Sequence, residues 1–148
     1  MANYIARCRS SYFAVKCEKK FTAWLETFSE PFEVWEDEKN GERLFAISPE
    51  AGWPCQRPGC NDVLDDNYNP DAEGEYEEVD FTQELSEHLK ENWVAVLQEV
   101  GYEKMRYLLG VAIAVAWTGK ITMIDLRGIT KQAQRKFGNE IKITGAQF

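Results

Sequence analysis

At 148 residues, with 44 % apolar and 13 % aromatic side chains, the chain can bury one core and is too apolar to stay disordered. Its net charge of −8 repels phosphate and argues against direct binding of DNA or RNA. The longest apolar stretch, Tyr107 to Trp117, is eleven residues, short of the ~20 that a membrane-crossing helix needs.

The opening MANYIARCRS places Arg7 and Arg9 where a signal peptide would carry its apolar region, so the expectation is a cytoplasmic protein of one domain, 1–148. Alternating β-branched and aromatic residues predict a strand over about 3–15. Phe21, Trp24, Leu25 and Phe28 follow at i, i+3, i+4 and i+7 and predict an amphipathic helix over 18–28, with Pro31 just beyond. Phe32 to Trp35 and Arg43 to Ile47 flank Asn40-Gly41, a hairpin signal whose loop is expected to exceed two residues.

From about 48 to 80 the chain holds four of its five prolines and three of its glycines, which predicts an irregular excursion. Residues 62–80, DVLDDNYNPDAEGEYEEVD, carry nine carboxylates and no base. Residues 1–61 hold eight bases against nine acids, and 81–148 nine bases against seven acids, so the whole excess of negative charge lies in this run.

Asp80 with Gln83 resembles a capping box, and Phe81, Leu85 and Leu89 predict a helix over 81–91. WVAVLQEV (93–100) reads as a strand, and 106–117 with 121–126 as a hairpin across Thr118-Gly119. Continuous apolarity over 107–117 predicts a central strand covered on both faces. A last helix is expected over 128–137, with Ile129, Ala133 and Phe137 inward and Gly138 as its C-cap. The expected fold class is α+β, an antiparallel sheet with two or three packed helices and a long acidic loop.

Two segments, MANYIARCRSSYFAVK at the start and EKMRYLLGVAIAVAWTGKITMIDL near the end, resemble a family of small uncharacterised proteins of phages and mobile elements. Its members open with a MANY-like segment, an Arg and a Tyr-Phe, and later carry an EK-x-RY-x-x-G strand before a hairpin and helix. The resemblance covers about half of the chain and implies a setting, in which small acidic proteins often act against host defences.

Motifs for chemistry are sparse. His88 is the one histidine, and a Ser-His-Asp or Cys-His site needs partners converging on it from elsewhere. No glycine-rich phosphate loop occurs, and the acidic run lacks the spacing of an EF-hand. Cys55 and Cys60, as C-x4-C in a Pro/Gly-rich loop, offer loose zinc-knuckle spacing that Cys8 and Cys17 could complete. Against that structural zinc stand reduced cytosolic thiols, or a disulfide. The thiols are expected to be free, with no cofactor.

The acidic run admits two readings: a solvated loop that maintains solubility, or a surface for a basic partner. Tyr68 and Tyr76 are interleaved with the acids, and such rings anchor interfaces. A dense row of carboxylates also resembles a nucleic-acid backbone. The expected function is therefore a non-enzymatic protein that binds and blocks a basic, nucleic-acid-handling protein, such as a CRISPR or restriction component. Its expected binding residues are Trp53, Asp65, Asp66, Tyr68, Asp71, Glu73, Glu75, Tyr76, Glu77 and Glu78. The alternatives are a zinc-stapled or plain accessory domain of a mobile element and an unrecognised enzyme.

Overall fold

The computed structural model describes residues 4–58, 76–103 and 107–144. The fold is α+β. Four antiparallel strands form the main sheet in the order β1-β6-β7-β8, where β1 is Tyr4–Ser10, β6 Val94–Glu103, β7 Tyr107–Ala116 and β8 Ile121–Asp125. A hairpin of β2 (Phe32–Lys39) and β3 (Glu42–Pro49) lies beside β1, and a short ladder joins β4 (Gln56–Pro58) to β5 (Tyr76–Glu78). The helices are α1 (Glu18–Leu25), α2 (Phe81–His88) and α3 (Ile129–Phe137).

Alternation along the strands sets the two faces of the sheet. Cys8 and Ser10 on β1, Ala95 and Leu97 on β6, and Val115 on β7 are buried on the inner face. Against it lies the apolar stripe of α1, with Phe21, Trp24 and Leu25, followed by Phe28 just past the helix. Phe81, Leu85 and Leu89 from α2 and Phe45 and Ile47 from β3 complete the core. The helix spacing of the sequence thus marks the face that each of α1 and α2 buries. α2 starts as expected: the Asp80 carboxylate accepts from the Gln83 N–H at 3.1 Å, which satisfies one of the helix's free donors.

Several expectations need correction. The first strand ends at Ser10 instead of running to 15, because the chain crosses from the sheet to the hairpin. Ser11 N–H still donates to Val96 C=O at 2.8 Å, and Phe13 then exchanges bonds of 2.8 and 2.9 Å with Phe45. The β2–β3 loop is only Asn40-Gly41, with φ of 55° and 76°, the left-handed pair that a two-residue turn matched to strand twist requires. α1 stops at Leu25, and α2 at His88.

Among the described residues the central strand β7, expected to be covered on both faces, is covered on its inner face and, outside Gly110, only partly on its outer one. Its inner side is packed, but its outer side carries Gly110, Ala112 and Ala114, and the neighbouring Val100 and Ile124 are 57 % and 73 % exposed. α3 has no buried residue: Ile129 and Phe137, expected inward, are 60 % and 68 % exposed, and Ala133 is half-buried. The 3-10 turn at Leu126–Gly128, just before it, touches β7. Leu126 lies over Gly110, where an added Cβ would fall 2.6 Å from the leucine side chain. A helical stripe specifies a face, but not that this chain supplies its cover.

Candidate partner-binding surface

Of the expected binding residues, Asp65, Asp66, Tyr68, Asp71, Glu73 and Glu75 lie outside the described residues, as does Cys60. The structure describes where the segment leaves the core and where it returns. Gln56, Arg57 and Pro58 pair with Glu78, Glu77 and Tyr76, and Val79 N–H donates to Cys55 C=O at 2.8 Å. The two arms of the excursion are therefore a paired stem. Tyr76 is 61 % exposed, and Glu77 and Glu78 are exposed beside it.

The stem is tied to the core by one cation. Arg57 donates through Nη2 to Glu84 on α2 and lies 3.6 Å from Glu77 on the opposite arm. Its guanidinium carbon sits 5.5 Å from the Phe28 ring centroid. The other Glu84 oxygen accepts from Trp24 Nε1 at 2.7 Å. One carboxylate thus joins α1, α2 and the stem, and planar Arg with its several donors is the side chain suited to such a junction. Val79 is buried at the foot of the stem. The next residue, Asp80, receives bonds from the Thr82 hydroxyl and the Gln83 N–H, which hold its carboxyl below the usual range.

Trp53 is placed differently from an exposed anchor. It is half-buried, its ring 5.6 Å from Phe81 and packed on the core. It forms a wall of a cleft of about 660 Å³ lined also by Gln56, Asp80, Leu97 and Ile113. Its Nε1 is buried without a hydrogen-bond acceptor among the described residues.

A second acidic surface was not singled out from the sequence. Glu33, Glu36, Asp37 and Glu38 are all exposed on β2, partly balanced by Arg43, which bridges Glu18 at 2.6 Å and Glu36 at 2.5 Å. The signal is present as EVWEDEK, whose Glu36, Asp37 and Glu38 the sequence pattern assigns to the polar turn between the hairpin arms Phe32 to Trp35 and Arg43 to Ile47.

The candidate chemical groups are dispersed. Cys8 is buried on the sheet, and burial, with Glu99 alongside, pushes its thiol up to about 12. Cys17 and Cys55 are exposed. Among the described residues no three Cys, His, Asp or Glu side chains form a metal-binding group. His88 lies between aromatic rings, 4.9 Å from Trp24 and 6.2 Å from Phe21, and burial lowers its pKa. Among the described residues no helix is long and apolar enough to cross a membrane. No protein-family model, curated protein or solved structure matches this chain.

Proposed function

We propose that this protein is a non-enzymatic binding protein that occupies and blocks a basic, nucleic-acid-handling protein through its acidic segment. The partner class includes CRISPR and restriction components, in the phage or mobile-element setting that the sequence resemblance implies. The observation that carries the reading is the stem. Residues 62–80 hold nine carboxylates without a base, and the chain departs toward them from Pro58 and returns at Tyr76 on a ladder fastened to the core by Arg57. The stem fixes where the segment leaves and rejoins the core, and such preorganisation limits the entropic cost of binding. The exposed Tyr76, Glu77 and Glu78 at the root offer an aromatic contact next to charge, the combination that favours both encounter and retention. Part of the field of −9 extends beyond the contact itself and attracts cationic surfaces from a Debye length away.

The test is affinity capture from the native host, then binding kinetics with the captured protein at low and physiological salt. Replacing Asp65, Asp66, Asp71, Glu73, Glu75, Glu77 and Glu78 by Asn and Gln is expected to slow association by at least about tenfold at low salt. Tyr76→Ala is expected to raise the dissociation rate. A neutralised variant that associates as fast as the parent would reduce the run to a solubility device.

A further inference from the structure

We propose that β8 is a self-recognition edge, through which two copies of this chain pair antiparallel about a two-fold axis to form one eight-stranded sheet. The two edges of the sheet are treated differently. At β1, the Ser48 hydroxyl donates to Cys8 C=O at 2.5 Å and Ser10 Oγ accepts from the Ile47 N–H at 2.8 Å, so β3 covers that edge. At β8, nothing among the described residues pairs with the outer side.

The open edge lacks the usual protections. Chains blunt an exposed edge with charge, proline, a bulge or a cover, yet Ile121, Thr122, Met123 and Ile124 contain none of these. Ile121, Met123 and Ile124 are 57 %, 60 % and 73 % exposed. Ile121 and Met123 share the inner face with Val115 and Ile113, while Thr122 and Ile124 share the outer face with Ala114 and Ala112. The strand is therefore apolar on both sides.

The backbone is also correctly presented. Ala116 N–H donates to Lys120 C=O at 2.9 Å, and in an antiparallel ladder such bonds alternate. The polar backbone groups of Thr122 and Ile124 thus face β7, and those of Ile121 and Met123 face the open edge.

A second copy satisfies this surface better than an arbitrary strand because the edge is complementary to itself. The backbone groups of Ile121 in one copy meet those of Met123 in the other, and the same apolar side chains are set face to face. The Asp125 carboxylate that closes the run is held by Arg127 of its own chain, so it does not face the partner strand as an unpaired charge. A two-fold axis normal to the sheet keeps inner face with inner face. With Thr122 at the centre, Ile121 faces Met123 of the second copy, twice.

The exposed apolar area of β8 and of the segment after it is on the scale that a dimer needs. Leu126 and the α3 residues Ile129 and Phe137 are 60 %, 60 % and 68 % exposed. With the three side chains of the strand they leave on the order of 500 Å² of apolar surface per chain. A standard interface uses roughly 800 Å² per partner, and the backbone edge adds to the apolar part.

Sedimentation of the full chain tests the proposal. The native protein is expected to be a dimer at about 50 μM, and Met123→Lys to weaken it at least about tenfold by placing like charges across the axis. In a background with Cys17, Cys55 and Cys60 replaced by Ser, Thr122→Cys, the one position the axis sets against itself, is expected to give a disulfide-linked dimer on mild oxidation. Opposed strand residues have Cα atoms ~4.5–5.5 Å apart, within disulfide reach. If Met123→Lys unfolds the chain, cross-linking decides alone. A monomer at that concentration, an open polymer, or a dimer that neither Met123→Lys weakens nor Thr122→Cys captures would overturn the proposal.

Discussion

Deleting the Arg57 guanidinium tests whether the acidic stem is fastened to the core as the contacts imply. Arg57→Ala removes the bond to Glu84, the approach to Glu77 and the contact with Phe28, while Glu84 keeps Trp24 as a donor. A hydrogen bond to a charged group contributes about 1.5–3 kcal/mol, and the side chains of Arg57 and Glu84 are only 19 % and 28 % exposed, so solvent screens them partly. The expected loss is about 2 kcal/mol. Glu84→Ala should cost more, about 2–3 kcal/mol, because it strands Trp24 Nε1 and leaves the cation half-buried without its main partner. In the double variant the two losses should fall short of additive by about 1–2 kcal/mol, since the pair can be lost only once. Urea unfolding of the four proteins measures this, and thermal midpoints should fall by about 2–4 °C per kcal/mol in a chain of this length. Hydrogen exchange of residues 56–58 and 76–78 should rise in both single variants with α1 and β6 unchanged. Additivity within about 0.3 kcal/mol would refute the Arg57–Glu84 tie, and the stem would then owe its position to other contacts such as Val79 and Trp53.

Three further outcomes follow from individual sites. Burial lowers the His88 pKa in the folded state, so the unfolded chain binds the proton more readily; stability should fall as pH drops from 7 through about 6.5 toward the lower folded value. His88→Gln should flatten the stability profile in that window, as read by unfolding at pH 7.5 and 5.5, and an unchanged slope would exclude the histidine as its source. The Cys8 thiol, raised to about 12 by burial and Glu99, should resist iodoacetamide at pH 8 while Cys17 and Cys55 react; mass spectrometry showing equal labelling would contradict its burial. Gly110→Ala should cost about 1–2 kcal/mol, because the new Cβ would lie 2.6 Å from Leu126. Unfolding in a Leu126→Ala background should recover most of that loss, and no recovery would mean that the clash is elsewhere.

Local spacing made much of the fold legible in the sequence. The i, i+3, i+4, i+7 pattern of Phe21, Trp24, Leu25 and Phe28 gave α1 and its buried face, and Asp80 with Gln83 gave the start of α2. The hairpins followed from Asn40-Gly41 and Thr118-Gly119 between apolar runs. Pairings of low local signal were hidden. β4 and β5 are three residues each, too short for any periodicity, and the Arg57–Glu84–Trp24 tie joins residues 27 and 60 positions apart. Trp53 was read by its type as an interface ring; its place against Phe81 depends on how the chain returns to the core. The outward stripe of α3 was misassigned because amphipathicity records what wants cover and is silent about its source.

The pairing of β1 with β6 also has a consequence for the order of synthesis. Ser10 faces Leu97, and the strand that completes the N-terminal edge begins only at Val94. At ~5–20 residues per second, the ribosome needs roughly 5–15 s to make the intervening chain. Through that interval only local contacts are open to α1 and the β2–β3 hairpin, and Phe13 and Phe21 lack the inner-face cover of Ala95, Leu97 and Val115. The acidic segment emerges within the same interval, before the strands that close the sheet. A nascent chain with an unfinished apolar face is thus followed out of the tunnel by its own most strongly charged stretch, which disfavours association between neighbouring nascent chains until β6 and β7 arrive.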